Sequence, residues 1–396
     1  MDNIKSHFKK YVAQTKYSLY DIDVDKAEGI YIWDKSGKKY IDMISGISVN
    51  NLGHRHPNII KAIKDQSDKY LHSMVYGEYI QSPQVELAKL LSDNLPKNLS
   101  VSFFVNSGSE AIDGAIKLSK KYNGRSEIIA CKRSYHGSTI GAMSLSHNKY
   151  NNNFRPLIPD VKFIEFNNLE DLEKITENTS CVLIEPIQAA AGIILPENDF
   201  LINLSNKCKE TGTLLIFDEV QTAGGRTGKL FAFENFNIVP DILVLAKSIG
   251  GGMPLGVFTS SAEIMQCLND NHPLLGHATT FGGHPISCAT SISMIKTLFK
   301  EKLIDSIQEK NETIKQHLKN KKIKEIRGMG LFLAIDFKKS ALVKKLLKSF
   351  LKNGIISSWF LFNDTSLFLA PPLTISKSEL ESSCKIIDTS INETEL

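Results

Sequence analysis

Arginine is scarce in this chain. Only Arg55, Arg125, Arg133, Arg155, Arg226 and Arg327 stand among its 47 basic residues, and the remainder are lysines. Interspersed with 43 acidic residues, they leave a net charge of +4. A balance so mild and mixed argues against a nucleic-acid partner. Cysteine is also sparse. The six thiols (Cys131, Cys181, Cys208, Cys267, Cys288, Cys384) are scattered and form no CxxC pair. That spacing argues against a disulfide framework or a zinc site, so reduced, buried thiols and no metal are expected. No apolar run approaches the roughly 20 residues needed to span a bilayer. The opening segment, MDNIKSHFKKYVAQTKYSLY, holds no apolar core of a secretion signal. A cytoplasmic protein without a membrane partner is expected. No GxGxxG joins a strand to a helix ahead of a trailing acid, which argues against a nicotinamide dehydrogenase.

What is present suits a globular chain: 396 residues, 42% hydrophobic and 23% charged. That length exceeds what one core usually holds. Residues 1–50 read as an N-terminal arm with a small hairpin, GIYIWD and KKYIDM alternating around Ser36-Gly37. Ile59, Ile63 and Tyr70 recur at helical spacing over 58–71. A second helix is expected over 82–95, with Ser82 and Pro83 in its cap and first-turn positions. Short apolar runs then alternate with helical stretches. Strands are expected over 101–105, 127–130, 161–166, 181–185, 214–218 and 242–246, with helices over 109–122 and 200–211 between some of them. Continuous apolar strands alternating with helices argue for a mostly parallel sheet covered on both faces. After about residue 290 long lysine-rich helices take over, with strands over 331–336 and 366–370. The expected organisation is an α/β chain with a large domain over 51–290 and a smaller α+β domain over 291–396, to which the N-terminal arm contributes.

In parallel α/β sheets, ligands bind beyond the carboxyl ends of the strands. Four such ends carry suitable chemistry. The first is Asn106-Ser107-Gly108-Ser109-Glu110, where small residues at a helix start leave N–H groups free for a phosphate. An ordinary helix cap gives the same pattern. The second is Asp218 in LLIFDEVQ, a carboxylate costly to bury without a partner. A pyridinium nitrogen would supply that partner, and a turn-capping role is the plain alternative. The third is Lys247 in DILVLAKSIGGG. Its amine is a candidate for covalent catalysis, and the glycines let a ligand approach the backbone; a lysine snorkelling to the surface is the plain alternative. The fourth is Glu185 in CVLIEPIQ, either a support for a ring or a turn cap.

Each signal is weak alone. Together, NSGSEA, YHG, EPIQ, DEVQTAGGRTG, LAKSIGGG and TTFGG occur in one order along one chain. From LGHRHP through APPL, the sequence resembles the class III aminotransferases, the ornithine, acetylornithine and ω-amino acid type. The resemblance implies pyridoxal 5′-phosphate and fold type I, the fold typified by aspartate aminotransferase. It also implies roles. Lys247 matches the Schiff-base lysine and proton shuttle. Asp218 matches the partner of the pyridine nitrogen, and Gln221 the neighbour of the phenolic oxygen. Tyr135 matches the ring-stacking aromatic, with His136 beside it pointing towards substrate. Ser107, Gly108 and Ser109 match the phosphate loop. Thr280 matches a threonine reaching the phosphate in the other subunit of a homodimer.

Three departures cluster. The family's arginine for a substrate α-carboxylate falls at Phe368, in Phe368-Leu369-Ala370-Pro371-Pro372-Leu373. The glutamate that pairs with it falls at Ala190. A further arginine after the aromatic-His-Gly motif falls at Ser138. Losing arginine and glutamate together avoids an unpaired buried charge and leaves a neutral wall suited to an apolar group. The expected substrates are an amine donor and a carbonyl acceptor, at least one of them without the usual α-carboxylate contact. Arg55, Arg133, Arg155 or a lysine taking that carboxylate instead is the alternative. A racemase of the same fold and a conventional acetylornithine-type enzyme stay open as alternative activities. His54 and His56 read as turn or interface residues, and Gly224–Gly228 as a structural turn.

Overall fold

The computed structural model describes residues 4–15, 20–74, 79–147, 149–269 and 277–395. Its centre is a seven-stranded sheet of β1 (Val101–Val105), β2 (Glu127–Cys131), β3 (Val161–Ile164), β4 (Thr179–Ile184), β5 (Leu214–Asp218), β6 (Ile242–Ala246) and β7 (Gly256–Ser260). The order is β1-β7-β6-β5-β4-β2-β3. β3, β2, β4, β5 and β6 pair in parallel. β7 runs antiparallel to both β6 and β1. Strands β2, β4, β5, β6 and β7 are buried along their whole length. Coverage of both faces explains the apolar runs IIAC, CVLI, LLIF and ILVLA within β2, β4, β5 and β6.

Six of the seven strands are legible from the sequence, with ends shifted by a residue or two at β2, β3 and β4. β7 is not. It follows β6 after a short turn instead of a helix, and its GVFTS sequence is only five residues long. An antiparallel partner needs no helical crossover, so the strand–helix alternation gives no hint of it.

The N-terminal strands Val24–Glu28, Tyr31–Asp34 and Lys39–Asp42 form an antiparallel meander. Ile355–Ile356 joins it in parallel, opposite Ile41 and Asp42. The last sheet, Ile323–Met329, Phe332–Phe337, Ser366–Leu369 and Ser358–Trp359, is antiparallel. The helix Pro285–Lys300 runs unbroken through residue 290 and packs on helices Pro57–Ser67 and Ser82–Asp93. The cap of the latter helix falls on Gln81, with Ser82 already helical. Gln81 makes no side-chain cap bond and donates instead to the Met74 carbonyl.

Arg226 ties these parts together. It is fully buried and donates to the carbonyls of Leu331 and Pro371, to Ser45 Oγ and to Asn51 Oδ1. The Gly224–Gly228 segment is thus a turn anchored to both ends of the chain. His54 Nε2 lies 2.9 Å from Asp42 Oδ2, and His56 Nδ1 caps the helix at Pro57 by accepting from Asn58 N. Among the described residues no helix is long and apolar enough to cross a membrane, and all six cysteines are free.

Candidate active site

The carboxyl ends of β1, β4, β5 and β6 open on one cavity of about 360 Å³. Lys247, Asp218, Glu185, Gln221, Tyr135, His136, Ser107, Gly108 and Ser109 all line it. These residues come from five separate stretches of sequence.

Lys247 directly follows β6. Its φ is +47, a left-handed conformation that costs a non-glycine residue of order 1 kcal/mol or more. Among the described residues its amine makes no hydrogen bond or ion pair. Burial pushes the amine down to about 8, against the opposing pull of the Asp218 and Glu185 carboxylates. It is therefore a side chain that exchanges a proton near neutrality.

Asp218 ends β5. Its Oδ1 accepts from Val220 N at 2.9 Å, and Oδ2 lies 2.7 Å from His136 Nδ1. The His136 ring is fully buried, and its Nε2 has no partner. The expectation that His136 points towards substrate needs correcting, because this side chain is turned onto Asp218. Glu185, just beyond β4, is buried and accepts from Ala189 N at 3.0 Å. Burial first, and then the charge of Asp218, lifts its carboxyl well above the usual carboxylate range.

At the other end of the cavity begins the sixteen-residue helix Gly108–Asn123. Ser107 caps it by accepting from Glu110 N at 3.2 Å. The amides of Gly108 and Ser109 have no intrahelical acceptor, so they and the helix dipole offer an anion site. Gly137 closes over this point with φ +137, and a Cβ there would lie 2.1 Å from Ser109 Oγ. Ser138 N donates to that same Oγ at 3.2 Å, while its own hydroxyl lies 3.0 Å from the Tyr135 hydroxyl.

Thr280 is exposed and lies outside this cavity. Its neighbour Thr279 is the one that reaches the loop, its hydroxyl accepting from Asn106 Nδ2 at 2.7 Å. Phe368 and Ala190 also lie outside the lining. Phe368 is 4% exposed and packs edge-on against Phe332 and Phe360. The Ala190 carbonyl accepts from Phe362 N at 3.0 Å. Ser138 is exposed and likewise lies outside the lining.

Lys247 is the only cation lining the cavity among the described residues. Arg133 lies 3.8 Å from Glu165, and Arg155 donates to Asn152. Arg55 lines a separate cavity of about 160 Å³ that shares Val49, Gly252 and Met253 with the larger one. Val49, Ile187, Ala189, Thr222 and Met253 also line the main cavity; Ile187 and Thr222 lie within the EPIQ and DEVQTAGGRTG motifs, whereas Val49 and Met253 belong to no motif. Glu219, beside Asp218, is not part of it. That carboxyl is buried, accepts from the amides of Ala232 and Phe233, and is pushed up to about 7 by burial.

An amine without a partner, a buried carboxylate facing it across the cavity and a helix start with the Gly108 and Ser109 amides still open fit pyridoxal phosphate, which carries an aldehyde, a pyridine nitrogen and a phosphate. Residues 11–391 match the family described as aminotransferase class-III. The chain belongs to the class III aminotransferases. It is a pyridoxal-phosphate-dependent transaminase of fold type I. It is 36% identical to acetylornithine aminotransferase of Clostridium acetobutylicum, over 97% of this chain and 99% of the relative. It is 38% identical to the [LysW]-aminoadipate semialdehyde/glutamate semialdehyde transaminase of Sulfolobus acidocaldarius, over 81% and 83%. Among solved structures, ornithine aminotransferase from Toxoplasma gondii superposes with a TM-score of 0.91 at 27% identity, over 98% and 94% of the two chains.

Proposed function

We propose that Lys247 both holds the cofactor and moves the proton as this transaminase passes an amino group from an amine donor to a carbonyl acceptor. The observation that carries this reading is the unpartnered, half-buried amine, held on a left-handed backbone opposite Asp218 and Glu185. Once bound, pyridoxal phosphate supplies an electron sink for the carbon that loses its proton. Lys247 Nζ takes that proton and returns it to the neighbouring carbon. Asp218 would hold the ring nitrogen, with His136 fixing the orientation of its carboxylate. Gln221 would sit at the phenolic oxygen and Tyr135 against the ring. Ser107, Gly108 and Ser109 would hold the phosphate with their amides and hydroxyls. A spectrum tests the direction of the chemistry. Given an amine and no acceptor, the loaded protein should lose its cofactor absorbance lastingly; recovery of the starting spectrum would mean a racemase.

At least one substrate lacks the family's α-carboxylate contact. Phe368 and Ala190 offer no charge, and among the described residues Lys247 is the only cation lining the cavity. Faster turnover of a simple primary amine than of acetylornithine is the expected result, and efficient use of acetylornithine overturns it. The second reading, a conventional acetylornithine-type enzyme, is favoured by the name of the Clostridium relative. Arg55, in the adjoining cavity, would then be the cation available to that carboxylate.

The working unit is a homodimer in which Thr280 serves the partner's site. Leu71, Met74, Tyr79, Ile80 and Phe281 are all exposed, and the Phe281 ring lies 5.0 Å from that of His72. An apolar patch at this place suits burial against a second copy. Sedimentation at a dimer mass, with weaker cofactor retention by Thr280→Ala, tests it. Its place is the cytoplasm, where six free thiols stay reduced.

A further inference from the structure

Behind the cavity wall stands an arginine that the chemistry above does not use. Arg327 lies on the strand Ile323–Met329, opposite Ala334, which in turn pairs with Phe368. Every nitrogen of its guanidinium is engaged. Nε donates to the Gly192 carbonyl at 2.6 Å. Nη1 donates to Glu325 and Asp336 at 2.8 Å each, and Nη2 to Ser366 Oγ at 2.8 Å. With all three nitrogens engaged, Arg327 is anchored to its own sheet and to the Gly192 turn.

The Gly192 bond begins a chain that ends at the active site. Gly192 N donates to the Ala189 carbonyl at 3.0 Å. Ala189 N donates to Glu185 Oε2 at 3.0 Å. Glu185 faces Lys247 and Asp218, and Ala189 and Ile187 line the cavity between them. Gly192 is shaped to receive the arginine. Its φ is +101, and a Cβ would lie 2.7 Å from both Arg327 Nη2 and Asn363 Nδ2. Phe362 N grips the same turn at the Ala190 carbonyl. The C-terminal part of the chain thus holds the 185–194 turn by hydrogen bonds to two carbonyls, those of Ala190 and Gly192, with the arginine end locked by Asp336.

We propose that Arg327 is a positioning residue: by holding the Gly192 carbonyl it fixes the turn that carries Glu185, and so sets the surroundings of the Lys247 amine. This rests on Lys247 being the reacting amine. The titratable groups facing that amine across the cavity are Asp218 after β5, Glu185 after β4, and His136 and Tyr135 after β2. Arg327 itself faces Glu325 and Asp336 on its own sheet, with Lys324 3.8 Å from Asp336. Loosening the turn admits water beside Lys247 and lessens the desolvation that holds its proton affinity down.

The test uses full-length protein freed of cofactor, and mass spectrometry of Lys247 labelled by a small acylating reagent across pH. In Arg327→Met the labelling midpoint should move up by about half a pH unit, roughly a threefold change in the neutral fraction at fixed pH. Amide hydrogen exchange over 186–194 should quicken by about tenfold. Arg327→Lys keeps a charge for Asp336 but cannot fill four contacts, so it should fold and show the same shift in smaller measure. If Arg327→Met does not fold, Arg327→Lys decides. An unchanged midpoint, or a shifted midpoint with unchanged exchange over 186–194, overturns the proposal. Failure of Lys247 to label preferentially at all would instead strike at its role as the reacting amine.

Discussion

The two sides of the cavity are built on opposite principles. The strand-end side gathers Lys247, Asp218, Glu185 and His136 within one buried cluster and leaves the lysine amine unpartnered. The C-terminal side is saturated. Phe368 packs against Phe332 and Phe360, and every guanidinium nitrogen of Arg327 is engaged, by Gly192, Glu325, Asp336 and Ser366. Unsatisfied polarity is expensive, and a lysine amine without a partner on the cavity wall is where a ligand would repay it. That contrast is consistent with the strand-end side being the reactive one proposed above. The saturated side sets shape and keeps its charge to itself.

That contrast can be broken most sharply at Lys247. Lys247→Ala should lower turnover by roughly 10²–10⁴-fold, the range for losing a positioned acid–base group, while thermal stability holds or rises because a buried amine is gone. Near-normal turnover in steady-state assays would remove the strand-end side from the chemistry. Phe368→Ala should behave in the reverse manner. Emptying a buried aromatic site costs about 3–5 kcal/mol, visible in denaturant unfolding, with a much smaller loss of rate per folded molecule. A large rate loss at unchanged stability would make Phe368 a substrate contact after all. Asp218→Ala lies between the two. It strands His136 Nδ1 without an acceptor at a cost of about 1–3 kcal/mol and weakens cofactor retention, readable by equilibrium dialysis.

The smallest effect is a pH slope. The Lys247 amine titrates near 8 in the folded chain, below its ordinary value of 10.5. Between those limits the unfolded chain binds the extra proton, so stability rises with pH across this window. Below about 8 both states carry the proton and the penalty is fully present. Unfolding of cofactor-free protein should show this slope, and Lys247→Met should remove it. An identical slope in both proteins would mean that other groups produce it.

Much of this was legible before any coordinates. β5 and β6 fall where their apolar runs end, because a strand covered on both faces disfavours polar residues; β1, buried only at Phe104 and Val105, ends with its apolar FFV run. Lys247 and Asp218 stand out because each is a charge directly at the end of such a run. Glu185 stood out in the same way. The antiparallel β7 was hidden, since a turn without a helix leaves no alternation to read. His136 was found but misdirected, because its local motif says nothing of a carboxylate 82 residues away. Thr279 and Thr280 are adjacent and chemically alike, and only the path of the backbone shows that Thr279 reaches its own chain's loop.

The sequence alone determined that a lysine, an aspartate and a pair of serines stand at strand ends, because residue type and place along an apolar run are local properties. The tertiary structure alone decided how they are held. The pairing of His136 with Asp218, the anchoring of Arg226 at both ends of the chain and the grip of Arg327 on Gly192 each join segments far apart in sequence. Such contacts depend on where the folded backbone brings a donor within about 3 Å of an acceptor, and no local pattern encodes that distance.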